Sequence, residues 1–247
     1  MNNSTITFDG SNNILYCEGN VKLANAKFTF KGNNSIVYLS SAIRSNYSFN
    51  LLIYNDSTFF IGRDCSLAYP TNINIQENQN IIIGSEVSIS TGVKIETADI
   101  YPIYKIDTEE RTNYAKSIYI GDHVWIGHLV YISKGARIGS GSIIENNSFI
   151  SPNTKIYSNS IAVGNPAKIE RNNVFYVRDF TATFRAEDSL NTKDYKSNVF
   201  IYEITEQETL DLEKIDRILK DLNVEDRLEF IQKLLVRNKR KNRFTIK

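Results

Sequence analysis

The stretch from Ile120 to Lys155 decides the fold. It reads Ile120-Gly-Asp-His-Val-Trp-Ile-Gly-His-Leu-Val-Tyr-Ile-Ser-Lys-Gly-Ala-Arg-Ile-Gly-Ser-Gly-Ser-Ile-Ile-Glu-Asn-Asn-Ser-Phe-Ile-Ser-Pro-Asn-Thr-Lys155. An isoleucine recurs every six residues, and a small or short side chain follows four residues after each one. The two sets are Ile120, Ile126, Ile132, Ile138, Ile144 and Ile150, and Val124, Val130, Ala136, Ser142, Ser148 and Thr154. Because strand side chains alternate between faces, residues four apart point the same way. The period predicts an all-β parallel β-helix, whose stacked coils bury a continuous core.

The repeat is looser in the first 80 residues and regular from there on. Short β-rich runs alternate with Gly/Asn turns over residues 5–70, and regular units begin at Ile61-Gly62 and Ile83-Gly84. We expect residues 1–80 to form irregular first coils, with polar turns that protect the open end of the solenoid from edge pairing.

The period stops at residues 100–117, which carry three tyrosines, one proline and many polar groups. A long insertion inside a compact repeat structure is usually functional or disordered. The aromatic residues favour order, so we predict a projecting functional loop.

The regular units end with the segment Ala162–Lys168, where Gly164 and Pro166 interrupt the backbone. We therefore assign residues 1–172 to the β-helix domain and 173–247 to a C-terminal extension. The extension has β-like runs at 180–184 and 199–202. Two amphipathic helices follow: the first has Thr205 or Thr209 as N-cap and the second has Asn223. Their apolar stripes must pack on the flank of the β-helix or on a neighbouring subunit.

Composition excludes several classes of protein. The net charge of +1 argues against a general nucleic-acid binder, and no apolar run is long enough to span a membrane. The first residues do not resemble a signal peptide, and the two cysteines have no metal or redox spacing, so we expect a cytoplasmic protein. The basic run 237–243 is either a solvated helix end or a peripheral contact with an anionic polymer or lipid.

The run from Ile120 to His128, together with the segment Val163–Lys168, resembles the hexapeptide-repeat acyltransferases. The resemblance is to bacterial O-acetyltransferases of capsular and other surface polysaccharides, including the sialic-acid type, and it is strong over residues 80–175. It implies a left-handed parallel β-helix, a homotrimer, and acetyl-CoA bound in the groove between adjacent subunits.

The resemblance also implies roles for individual residues. Trp125 would lie beside the reacting end of acetyl-CoA, and backbone and short side chains of successive coils would accept the pantetheine arm. The positions that match cofactor contacts are Trp125, His128, Asn146, Ser151, Lys168 and Arg171. Lys168 and Arg171 would face the phosphates of the cofactor. Solvated charges after the last coil are the alternative for these two.

Acetyl transfer to a hydroxyl needs a base, and the resembled family places a histidine at the start of the projecting loop. This chain has Tyr101 in that place. An unperturbed tyrosine has a pKa of about 10, so it is a poor base at neutral pH. One interpretation is that Tyr101 acts with a neighbour as a slow or specialised catalytic base. His123 and His128 are the only histidines and are candidate substitutes; His128 is preferred because it falls near the expected thioester. Each has a structural alternative, a turn residue for His123 and a groove-lining side chain for His128.

These observations predict an acetyl-CoA-dependent O-acetyltransferase that acts on a bacterial surface glycan. Two alternatives stay open: a weakened homologue that binds CoA or glycan without efficient turnover, and a nucleotide-sugar N-acetyltransferase on the same scaffold. No metal is expected, because two histidines are too few for the three-histidine zinc site of β-helix carbonic anhydrases.

Overall fold

Three parallel sheets form the three sides of a β-helix, as the hexapeptide period predicts. This architecture comes from a computed structural model that describes residues 2–43, 45–68 and 71–247. Sheet A contains β1 (Thr5–Phe8), β3 (Lys27–Phe30), β5 (Phe49–Ile53), β8 (Thr71–Ile75), β11 (Lys94–Glu96), β14 (Tyr131–Ile132) and β17 (Phe149–Ile150). Sheet B contains β2 (Ile14–Cys17), β4 (Ile36–Leu39), β6 (Thr58–Ile61), β9 (Asn80–Ile83), β12 (Ile118–Ile120), β15 (Arg137–Ile138) and β18 (Lys155–Ile156).

Sheet C is the third side. It contains β7 (Ser66–Leu67), β10 (Ser88–Ile89), β13 (Trp125–Ile126), β16 (Ile143–Ile144), β19 (Ser160–Gly164) and β20 (Ala167–Asn172). The last two strands form an antiparallel hairpin with the cis Asn165-Pro166 bond in its turn, so β20 extends sheet C at the final coil.

The inward side chains confirm the residue pattern of the repeat. The isoleucines from Ile120 to Ile150 are buried, as are the small residues four positions later up to Ser148. The apolar members of both sets belong to one cluster that runs the length of the solenoid. In the first coils this cluster also includes large aromatic residues, such as Phe28, Phe49 and Phe59. The inward side chains of the later coils are smaller and recur more regularly, which fits coils that contain fewer residues.

The first coils are irregular with respect to six, but they have a strict period of their own. Strand partners in sheet B lie 22 residues apart in the early coils and 18 apart in the late ones. Each long coil turns through a left-handed residue, at Asn12, Asn34, Asp56 and Asn78. Asparagine and aspartate tolerate this conformation best among residues with a side chain.

Three corners connect the sheets. The turns from sheet B to sheet C, at 62–65, 84–87, 121–124, 139–142 and 157–159, form what we call the extension corner. The connection from sheet A to sheet B at 97–117 is the projecting loop, and its side of the solenoid is the loop corner. The turns from sheet C to sheet A, at 90–93, 127–130 and 145–148, form the third corner.

The extension packs on the chain's own solenoid rather than standing free. Its helices are α1 (Ala186–Asn191), α2 (Leu212–Asp221) and α3 (Val224–Phe230), which continues as a π-helical turn (Ile231–Val236). Leu219, Ile231 and Leu235 share an apolar cluster with Tyr38 and Phe60 on the outward face of sheet B. Of the two packing alternatives, the structure therefore selects the flank of the β-helix.

Two local predictions for the extension are wrong. The run at 180–184 contains a 3-10 helix (Thr181–Thr183) instead of a strand, and 199–202 is irregular. The N-cap of α2 is Asp211, whose carboxylate accepts from the backbone of Glu213 and Lys214, and not Thr205 or Thr209. Asn223 caps α3 as predicted. The 199–202 run is not a strand because its backbone bonds to the Asn159 side chain in a turn of the extension corner, through the Phe200 carbonyl and the Tyr202 N–H.

Candidate functional site

Trp125 lies on the outward face of sheet C, in a column of side chains set by the strand register. Ser88 precedes it, and Ile143 and Ile161 follow it on the next two strands. The indole is 41% exposed, although its strand neighbour Ile126 points into the core. Because side chains alternate along a strand, each two-residue strand of sheet C has one side chain in the core and one on the outward face.

Lys168 and Arg171 lie on the same sheet, at its last strand. Lys168 pairs with Val163 and Arg171 pairs with Ile161 across the β19–β20 hairpin, and both side chains are exposed. Arg171 is three strand spacings from Trp125, which is roughly 14 Å at about 4.8 Å per strand. Sheet C thus presents an aromatic residue, an apolar stretch and the cation of Arg171 in line, with Lys168 on the same last strand.

His128 and Asn146 lie at the third corner, directly after the strands of sheet C. The His128 ring is exposed and has no hydrogen-bond partner among the described residues. Its backbone N–H donates to the Asn146 side-chain oxygen at 2.7 Å, so Asn146 holds the turn. The structure brings Trp125, His128 and Asn146 to one edge of the solenoid.

Ser151 and Tyr101 lie at the loop corner instead. The Ser151 hydroxyl is 2.9 Å from the hydroxyl of Thr154 in the turn between sheets A and B. Tyr101 begins the projecting loop, and its side chain is 77% exposed. Within one chain, these two residues and the Trp125 edge are on different sides of the β-helix, so a site that combines them needs two subunits.

A polar network fixes the root of the projecting loop. The buried Lys134 ammonium donates to the Asp99 carboxylate and, at 3.0 Å, to the Asn113 carbonyl. The Asn113 amide donates to Asp99 at 2.7 Å and to the Tyr101 carbonyl at 2.8 Å. The contact with Lys134, opposed by partial burial and aided by Asn113, lowers the pKa of Asp99. Asp99 therefore orients the loop backbone that carries Tyr101.

Within the rest of the loop, an isolated antiparallel β-bridge joins Tyr104 to Arg111. The Arg111 guanidinium also forms an ion pair with the Glu77 carboxylate at 2.6 Å, which holds the loop to the solenoid. Its apolar side chains nevertheless face outward. The exposed set is Ile100, Tyr101, Ile103, Tyr104, Ile106 and Tyr114. A concentration of exposed apolar side chains on one loop is typical of an interaction surface.

His123 is not accessible to a substrate within the chain. Its side chain is 1% exposed and is stacked between the rings of Tyr176 and Phe200, with centroid distances of 4.3 and 3.9 Å. One ring nitrogen lies 3.0 Å from the Tyr176 carbonyl oxygen. His123 also has the left-handed backbone of a turn residue. The geometry favours the structural alternative and gives no support to His123 as a base.

Tyr176 connects this stack to Trp125, since the two ring centroids are 5.8 Å apart. Burial raises the pKa of Tyr176 to about 12, so its phenol stays protonated at neutral pH. Two residues further, the Arg178 guanidinium donates to the Asp64 carbonyl at 3.1 Å and to the Ser88 hydroxyl at 3.3 Å. Arg178 thus lies one strand away from Trp125.

Asp122, in the same motif, has a role that the sequence analysis missed. It forms a bidentate ion pair with Arg243 from the C-terminal basic run, at 2.7 and 2.8 Å, and both side chains are largely buried. Arg243 also donates to the carbonyls of Leu235 and Asn238. No local pattern joins residues 121 positions apart. The only signal in the sequence is the concentration of basic residues in the run 237–243.

The comparisons with known proteins agree with the motifs. The family described as the bacterial transferase hexapeptide, with six repeats, matches residues 117–152. No curated protein sequence matches the chain. The matched repeat and the β-helix are features of hexapeptide-repeat acyltransferases, which confirms the resemblance drawn from the sequence.

Two solved structures resemble this chain in fold and sequence. The polySia-specific acetyltransferase NeuO is 26% identical over 76% of this chain and 97% of its own, with a TM-score of 0.63. The polysialic acid O-acetyltransferase OatWY is 25% identical over 76% of this chain and 91% of its own, with a TM-score of 0.64. Both values leave about a quarter of this chain outside the similar region.

The described residues also bear on metal binding and on membrane insertion. Within residues 2–43, 45–68 and 71–247, no group of three or more His, Cys, Asp or Glu side chains is arranged to hold a metal ion. Across the same residues, no helix is long and apolar enough to cross a bilayer.

Proposed function

We propose that this chain is an acetyl-CoA-dependent O-acetyltransferase that acts on a hydroxyl of a capsular or other surface glycan. The observation that carries the proposal is the register of sheet C, which aligns Trp125 with Arg171 and places Lys168 on the same last strand. Similarity to two polysialic acid acetyltransferases supports the glycan acceptor.

The outward face of sheet C fits an extended CoA molecule. Between Trp125 and Arg171 the register of sheet C places Ile143 and the partly exposed Ile161, an apolar stretch against which a pantetheine arm can lie. Lys168 and Arg171 supply charge for phosphates at the far end. Acetyl-CoA would then present its thioester beside Trp125.

In the reaction, a hydroxyl oxygen of the glycan attacks the thioester carbonyl, the C–S bond breaks, and the hydroxyl proton passes to a base and then to the departing thiolate. His128 is the chain's best base, because its ring is exposed at the same edge of the solenoid as Trp125 and histidine is the commonest general base in enzymes. The protonated Tyr176 does not compete for this role.

We also propose that the site is completed by a second copy of the chain in a homotrimer. The loop supports this, because its apolar side chains are exposed and it carries Tyr101 away from the Trp125 edge. Cyclic symmetry would let each loop close the groove of a neighbour. Both cysteines are free thiols, which suits a reducing cytoplasm.

The exposed Tyr101 supports one alternative, a weakened homologue that binds CoA or glycan without efficient turnover. The nucleotide-sugar N-acetyltransferase is also a proposal on the same scaffold. For the latter, an amine in the acceptor would replace the hydroxyl.

The decisive assay is release of free CoA thiol from acetyl-CoA with a panel of acidic capsular oligosaccharides. We expect release to depend on one acceptor class, and His128→Ala to lower kcat by about 10²–10⁴-fold because it removes the base. Leu129→Ala is the matched control, since this neighbour is exposed and not implicated in chemistry.

Two outcomes would count against the proposal. Clear CoA binding without thiol release from any acceptor would favour the weakened homologue, and a large gain of activity in Tyr101→His would identify the cause. Full activity in His128→Ala would remove that residue as the base.

A further inference from the structure

The extension corner carries a cleft that the proposed chemistry does not use. It has a volume of about 490 Å³ and lies between the turns at Gly62–Asp64, Ser85–Glu86 and Asp122–His123 and two segments of the extension. Five cationic side chains line it: Arg63, Lys239, Arg240, Lys241 and Arg243. This size is within the range of ligand sites in proteins.

The charge of this cleft is only partly neutralised. Arg243 is paired with Asp122 and Arg63 with Glu18. Arg240 and Lys241 donate to backbone carbonyls, which orient the side chains without cancelling their charge. Lys239 has no ion-pair or hydrogen-bond partner among the described residues. The C-terminal wall therefore offers three positive charges to a ligand.

The middle of the cleft has a different chemistry. Asp64 and Glu86 line it together with the ring of Phe200. These three residues also line a second cleft of about 280 Å³, which contains Arg178. The two clefts thus adjoin along the extension corner, and Arg178 brings the second one to within one strand of Trp125.

We propose that this continuous cleft binds a segment of an acidic glycan, several units away from the unit that is acetylated. Carboxylates of the glycan would contact Arg178 at one end and Lys239–Lys241 at the other. Its hydroxyls would donate to Asp64 and Glu86, and a sugar ring would lie near Phe200. A uniform polyanion such as nucleic acid would meet two carboxylates in the centre, which disfavours it.

This inference rests on the proposed function for the identity of the glycan, but it concerns binding and not turnover. It is tested by direct binding of polysialic acid to the full chain, without acetyl-CoA, by isothermal titration calorimetry at low salt. We expect Lys239→Glu and Arg178→Gln each to weaken binding at least tenfold.

The matched control is Lys214→Glu, which makes the same charge change on the exposed side of α2. It should bind polysialic acid like the parent chain, and thermal melting should show that all three variants are folded. Neutral dextran should bind at least tenfold more weakly than polysialic acid, and so should a single-stranded oligonucleotide of equal charge.

Unchanged affinity in Lys239→Glu and Arg178→Gln would overturn the inference, as would equal affinity for the oligonucleotide or no binding of polysialic acid by the parent chain. Glycan binding that depends on these residues, in a chain that releases no CoA thiol, would sustain the inference and refute the proposed enzyme activity.

Discussion

The projecting loop and the C-terminal extension are two additions to one solenoid. The helices of the extension that pack on sheet B bury their apolar side chains, whereas the loop exposes its own. The extension buries Leu212, Leu219 and Ile231 against sheet B. The loop is held to the solenoid by polar contacts, Asp99 with Lys134 and Arg111 with Glu77, and exposes its apolar residues; the Ile106 side chain is 100% exposed.

The difference indicates where each element finds its partner. An apolar helix face covered by the same chain is part of that chain's fold. An ordered loop with a fixed root and an apolar outer surface indicates a partner outside the chain. The extension covers the extension corner and sheet B and reaches sheet C through Tyr176 and Arg178, beside Trp125 and Ser88, while the loop corner stays open to a second copy.

The largest expected effect is on the extension. Arg243→Ala removes one partner of a buried ion pair and leaves the Asp122 carboxylate uncompensated, which costs about 3–5 kcal/mol. Urea unfolding measures this loss. Arg240→Ala is the matched control and should cost less than about 1 kcal/mol because its side chain is exposed. Similar losses for both variants would contradict a specific anchor.

A second change tests the apolar contact of the extension. Leu219→Ala should lower the free energy of unfolding by about 2–5 kcal/mol, because the side chain is fully buried against sheet B. The molecular mass in light scattering should not change. A shift to a smaller species would show that this face is an interface between subunits.

A change in the apolar surface of the loop should instead weaken assembly and leave the fold of the subunit intact. Ile106→Asp is expected to weaken self-association at least tenfold, about 1.4 kcal/mol, while the circular dichroism of the subunit stays unchanged. Sedimentation over a range of concentrations measures the association. Lys105→Asp, at the adjacent exposed position, is the control for added negative charge. Unaltered assembly in Ile106→Asp would refute the loop as a subunit contact.

The smallest effect concerns the loop root and pH. The pKa of Asp99 is lowered in the folded chain, so its contact with Lys134 stabilises the loop above the unfolded pKa of about 3.9 and is lost as the pH falls through the folded value. The contribution should be about 1 kcal/mol or less, because solvent screens a carboxylate that is 38% exposed.

Hydrogen exchange of the loop amides measures this contribution. Protection should decrease on acidification below pH 4, and Lys134→Met should lower protection at neutral pH and remove most of the acid dependence. An acid response that is identical in Lys134→Met would assign the effect to other groups.

Some of this organisation was predictable from the sequence, and the reasons are local. The repeat from Ile120 to Ile150 fixes strand, turn and core position together, since each unit needs only its own six residues. The 22-residue period of the first coils is also visible in the sequence, as Asn12, Asn34, Asp56 and Asn78, but it does not match a period of six, so the sequence predicts these coils only as irregular.

The rest depended on contacts between distant parts of the chain. The pairing of Asp122 with Arg243 and the burial of His123 under Phe200 follow from the path of the extension along one corner, which no periodic pattern encodes. Likewise, the motif predicted Trp125 as a wall residue, but only the register of sheet C shows it in line with Arg171.

The central claim is that the outward face of sheet C binds acetyl-CoA beside Trp125. Trp125 is the only tryptophan of the chain, so intrinsic tryptophan fluorescence reports on this position alone. Titration with CoA should produce a saturable change in emission, and the double variant Lys168→Ala/Arg171→Ala should require at least tenfold more CoA. CoA binding in calorimetry with no change in Trp125 emission, or no CoA binding at all, would contradict the claim.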